Sequence, residues 1–151
     1  MLLIIGFLFM ILVLAIVGIF TGMAAVFIDL PSALLVLVPL LFFFFTSKSG
    51  KVLGKYIKTS FKKEYTYIGT ELNILSVAIK HAIRFTIALG GFAFLAGGIA
   101  ALGYLGAKER LGPILALSLI TLTYSIMLIC FVFIPVQAWA EIKIAELKDE
   151  S

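Results

Sequence analysis

The chain alternates between long apolar stretches without charge and shorter stretches that hold the charge. Residues 1–28, 30–47, 85–107 and 111–140 contain no Asp, Glu, Lys or Arg. An uncharged apolar run of about 18 residues or more reads as a membrane helix, because about 20 residues at 1.5 Å rise cross the hydrocarbon core. The pattern predicts an all-α membrane protein with four transmembrane helices, at about 2–24, 31–47, 83–106 and 112–140. A cytoplasmic amphipathic helical segment, 48–82, joins the second to the third, and the whole chain 1–151 is one membrane domain.

Within 48–82, Lys51, Lys55, Lys58 and Lys62 recur at helical spacing, while Val52, Leu53, Tyr56, Ile57 and Phe61 fall largely on other faces. This is the pattern of a basic amphipathic helix, whose simplest partner is anionic lipid and whose alternative is a cytoplasmic protein. Leu72, Leu75, Ile79 and Ile83 continue a helical period that can run unbroken into the third span, with Glu64–Gly69 as the turn before it. The third span carries Gly90, Gly91, Gly97 and Gly98, in pairs seven residues apart. Small residues let helix backbones approach in lipid, so these four are expected to pack helices together, within a subunit or between subunits of a ring oligomer. The Phe42-Phe43-Phe44-Phe45 run and the Leu/Ile-rich first span are expected to face lipid.

The fourth span is longer than a perpendicular crossing needs and is expected to tilt or extend into the cytoplasm. Ser118, Thr121 and Ser125 share one of its faces. Such hydroxyls either bond back to the preceding turn or line a polar path. Pro135, and Pro39 in the second span, each remove one helical N–H and are expected to kink their helices.

Composition adds weight without changing the picture: 63% of residues are hydrophobic, and mean hydropathy is +1.22. The first run is long for a signal core and has no Lys or Arg before it, so it reads as a retained span. Charge sets the orientation. Eight of the 12 Lys and Arg lie between spans two and three, which places that segment and both termini in the cytoplasm. The candidate chemistry is sparse. The single Cys130 lies deep in an apolar run and reads as a small buried apolar residue. His81 sits at the membrane edge beside Lys80 and Arg84. No metal-ligand cluster, nucleophile with a base or phosphate loop is evident, so neither an enzyme, a cofactor nor nucleic-acid binding is expected. None of the four apolar runs holds a charged side chain, so a path for ions would need a carboxylate from another chain.

Two stretches resemble the flagellar stator and TolQ/ExbB proton-channel superfamily, in particular its MotA/PomA branch. One is Phe27-Ile28-Asp29-Leu30-Pro31-Ser32 with Leu34-Leu35-Val36, similar to the family's first external loop and the start of its second span. The other runs from Leu111-Gly112-Pro113-Ile114-Leu115-Ala116-Leu117 through Thr121-Leu122-Thr123-Tyr124 to Phe133-Ile134-Pro135-Val136, similar to the fourth span. The resemblance implies a multi-pass protein of the bacterial inner membrane. It implies a homopentameric ring around a single-span MotB-, ExbD- or TolR-like partner, whose aspartate takes up a proton or sodium ion, with ion flow coupled to mechanical work. Thr121, Thr123 and Pro135 would then line or shape the ion pathway. The chain departs from the family in two ways: only about 35 residues separate spans two and three, and span three lacks the family's proline and hydroxyl residue. These departures keep open a non-conducting structural or accessory protein that retains the ring.

Overall fold

The computed structural model describes residues 2–22, 29–47, 49–60, 69–106 and 108–149, and every element in them is helical. The elements are α1 (Leu2–Thr21), α2 (Leu30–Thr46), α3 (Ser49–Ser60), α4 (Gly69–Gly103), α5 (Lys108–Leu128), a π-helical segment (Ile129–Phe133) and α6 (Ile134–Asp149). Three helices are long and apolar enough to cross a membrane, and the count reaches four if α2 and α3 together make one bent span. α2 alone has 17 residues, a rise of about 26 Å against a hydrocarbon core of about 30 Å. α3 leaves it at 99°.

Local chemistry sets the helix ends. Thr21 Oγ1 donates to the Val17 carbonyl at 2.8 Å, and Gly22 follows at φ 66°, the left-handed conformation that closes a helix at low steric cost. Asp29 caps α2: its carboxylate accepts from the Ser32 N–H at 2.9 Å, with Pro31 in the first turn where no N–H is needed. No Pro interrupts 69–103, and α4 is one helix of 35 residues, as the period through Ile83 predicts. The expected turn at Glu64–Gly69 lies outside the described residues apart from Gly69, which opens α4.

α5, the π segment and α6 run on as one continuous helical path from Glu109 to Asp149. Just before Pro135 the helix widens into the π segment, in which the Ile134 N–H bonds the Ile129 carbonyl five residues back. α4 lies antiparallel against this path. Gly97 meets Ser118, Gly90 meets Ser125, Ser76 bonds Glu141 and Gly69 meets Leu147, so the two form a long hairpin.

α1 and α2 pack on the hairpin's middle. Gly6 of α1 abuts the backbone of Phe131, and Phe9 meets the Phe131 ring edge-on at 5.2 Å. In α2, Val36, Leu40 and Phe44 enter a core with Leu72, Leu75 and Ile79 of α4, Phe133 at the end of the π segment and Val136 of α6. Tyr56 of α3 joins this core. The phenylalanine run is therefore divided, because α2 presents one side to the core and the other outward. Phe42 and Phe45 are 69% and 84% exposed, whereas Phe44 is 8% exposed and Phe43 stacks on Phe85 at 4.8 Å. Cys130 is also exposed, on the outer side of the π segment rather than in the core.

Candidate functional site

The polar residues inside the apolar layer gather where α2, α4 and α5 meet. Ser118, Thr121 and Ser125 of α5 are all buried, with Thr121 only 2% exposed. Each hydroxyl donates to a carbonyl one turn back: Ser118 to Ile114 at 2.9 Å, Thr121 to Leu117 at 2.9 Å and Ser125 to Thr121 at 3.1 Å. This arrangement satisfies a hydroxyl inside a helix without a partner from another element. Thr86 on α4 does the same towards Ala82, at 2.8 Å.

The serines also fit the glycines of α4. A Cβ on Gly90 would sit 2.8 Å from both Cβ and Oγ of Ser125, and one on Gly97 would sit 2.6 Å from Ser118 Cβ. Such distances leave room for hydrogen alone. Gly90 and Gly97 therefore serve contact within one chain, not the contact between subunits that their spacing also allowed. Gly91 and Gly98 have nothing within 4 Å and remain on the outer side of α4.

α2 closes the third side. Ser32 is fully buried, and its hydroxyl lies 3.5 Å from the Leu117 carbonyl. The Asp29 N–H donates to the Tyr124 hydroxyl at 3.2 Å. Tyr124 lies far along α5, and its ring reaches back towards the helix N-terminus, as helical side chains do. Ser32 and Tyr124 fall within the two family-like stretches, but neither is singled out there as a site residue. Their physical signal is that each is a polar atom in a stretch where burial would demand a partner.

The remaining expected residues are dispersed. Thr123 is half-buried and bonds back to Leu119 at 2.8 Å. Pro135 is half-buried just past the π segment, on the side of the bundle reached by α1 rather than near Thr121. Thr121 and Pro135 are 14 residues apart on one helical path, about 21 Å along its axis, so the three do not gather at one point. Lys51, Lys55 and Lys58 are exposed on α3, with Lys55 in a salt bridge to Glu71 of α4, and Lys62 lies outside the described residues.

Past the charge-free run, Glu141 accepts from Gln137 at 2.8 Å and from Ser76 across the hairpin at 3.1 Å. These two hydrogen bonds, the Gln137 bond foremost, hold its carboxyl below the ordinary range, with a smaller contribution from the charge of Lys80. Among the described residues, no group of three His, Cys, Asp or Glu side chains could hold a metal ion.

Compared with known proteins, the chain matches no family model, no curated protein and no solved structure.

Proposed function

We propose that this chain is a minimal MotA-like subunit of the bacterial inner membrane. In this reading it forms a ring, five-fold by the resemblance, around a single-span partner that brings the ion-binding aspartate. Ion flow between ring and partner would drive movement. One observation carries the reading: the two stretches that resemble the family touch each other. Asp29 of the first bonds Tyr124 of the second, and Ser32 lies against the Leu117 carbonyl. Stretches about 85 residues apart that belong to one functional unit should meet in space, and these do.

A ring needs an outward small-residue face, and Gly91 and Gly98 supply one on α4. Native mass analysis of the complex from its own cell tests the reading. Five copies with two copies of a smaller chain bearing a membrane aspartate is the expected result, and a monomer alone would reject it. Thr121→Val with Thr123→Val is expected to lower partner-dependent ion flux, and unchanged flux would remove both from the path.

A second reading has its own support. The hydroxyls of Ser118, Thr121 and Ser125 are buried against the chain's own helices and bonded to their own carbonyls. A ring-former that conducts nothing and holds a membrane assembly together uses them in that way, as packing. A homo-oligomer without a second protein, and without flux, would favour it.

A further inference from the structure

We propose that one acyl chain of a bilayer phospholipid lies in the crevice between α1, α2 and α5, as a resident part of the subunit. Gly6 and Phe9 of α1 sit directly on Phe131. Farther along, from Phe7 to Leu14, an opening of about 160 Å³ separates α1 from α2. Phe7, Met10, Ile11 and Leu14 form its α1 wall, at the spacing of one helical face. Ala33 and Leu37 face them from α2, and Tyr124 and Leu128 of α5 form the floor. Every lining residue belongs to a charge-free run. The hairpin fixes the level independently: Ser125, between Tyr124 and Leu128, meets Gly90 inside the charge-free run of α4. The crevice therefore lies within the apolar layer.

Size and chemistry select the occupant. Phe7 and Leu14 are about 10 Å apart along α1, and a helix about 10 Å across would need roughly 800 Å³ over that length. Neither a partner's span nor a second copy of α1 fits. Water in such a space needs about two to four polar partners. Tyr124 is the one polar side chain in the lining, and its hydroxyl already accepts from the Asp29 N–H. Left empty, the walls would forfeit their dispersion contacts on that side. A slender chain of methylenes fits, and the surrounding medium supplies it. Phe7 and Ile11 line the crevice and are also exposed, so it opens sideways to the bilayer. No charged side chain lines it, so the chain is held without regard to its headgroup. The inference depends on neither reading of the function.

Photolabelling of the full chain in bilayers tests it, with phosphatidylcholine and phosphatidylglycerol that carry a diazirine in mid-chain as probes and peptide mass mapping as the readout. Adducts on Met10, Leu14, Ala33 and Leu37 are expected to exceed those on Leu8, Leu12 and Val38, which are exposed at similar depth outside the crevice. The excess should be about fivefold, the scale of roughly ten additional carbon contacts, and the same for both lipids. Ala33→Trp fills the crevice and should abolish the excess on Met10 and Leu14 while leaving Leu12 and Val38 labelled. Val38→Trp adds the same bulk outside the lining and should leave the excess on Met10 and Leu14 intact. Adducts spread evenly over crevice and exposed positions would overturn the proposal. So would an undiminished excess in Ala33→Trp, or an excess confined to one of the two lipids. If Ala33→Trp fails to fold, the unaltered chain with the two probes still decides.

Discussion

The two halves of the long hairpin are held together by opposite means. Towards the α4–α5 turn, the contact is made of the smallest residues: Gly90 on Ser125 and Gly97 on Ser118, with Ala93 and Ala101 buried beside them. Towards the other end, large side chains fill the contact: Leu72, Leu75 and Ile79 against Phe133 and Val136. There a polar tie closes the edge, from Ser76 to Glu141. The reason is the solvent. Lipid tails are as apolar as leucine, so burying leucine there gains little, and close backbone approach through small residues must hold the helices. Where water is the competitor, burying apolar area is the main driving force. The change of strategy along one pair of helices falls near the place where α4 passes from its charged N-terminal arm into its charge-free run. The charges agree, since Lys80, Arg84 and Glu141 all lie on the large-residue side of Gly90 and Ser125.

Three substitutions sharpen this contrast. The largest effect is expected from Ile79→Ala, which empties a fully buried position among leucines and should cost about 2–5 kcal/mol. Denaturant titration of the detergent-solubilised protein measures it, and a loss below about 0.5 kcal/mol would mean that this half is not packed as a water-driven core. Next comes Gly97→Val, whose added carbons must displace Ser118, at about 1–3 kcal/mol. Gly98→Val, one residue on and facing open space, should change the isolated chain by less than about 0.5 kcal/mol. If the two glycine variants unfold alike, the small-residue contact is misassigned.

The smallest effect concerns Glu141, which is exposed and tied to Gln137 and Ser76. Its carboxyl is held below its unfolded value, so the charged form favours the fold. That contribution is complete above the unfolded value of about 4.3 and disappears as pH falls through the lower folded value. Thermal melts should therefore show a modest extra loss of stability in the acid range, and Glu141→Gln should remove it. An identical acid profile in the variant would show that the tie carries no stability.

The sequence makes the hairpin's long arm legible because nothing interrupts it: no proline falls between Gly69 and Gly103, and the period of Leu72, Leu75, Ile79 and Ile83 is helical. The spacing of glycines likewise announces close packing. It does not say which glycine meets which neighbour, because rows one residue apart look alike until a partner helix is placed. Gly90 and Gly97 go to the serines and Gly91 and Gly98 do not, and that choice belongs to the rotation of α5. The phenylalanine run fails for a related reason. Four identical residues carry no periodic signal, so only the docking of α2 separates Phe44 from Phe42 and Phe45. The candidate site was legible only in part. Ser118, Thr121 and Ser125 follow from their shared face, while Ser32 and Tyr124 emerge from contacts between distant stretches.

Pro135 has no N–H to offer the Phe131 carbonyl in an α-helical ladder, and it is this carbonyl that Gly6 of α1 meets. A side chain at Gly6 would overlap that oxygen, and its Cβ would lie 3.0 Å from the carbonyl carbon. α1 otherwise presents a nearly uniform apolar surface, on which one rotation or height would resemble another. A screw displacement of one residue, turning α1 by about 100° as it moves by about 1.5 Å, would bring Ile5 or Phe7 onto the Phe131 carbonyl and be blocked. The contact thus acts as a detent: a notch in α1, engaged by one raised atom on its neighbour, fixing the height at which the first helix sits against the hairpin.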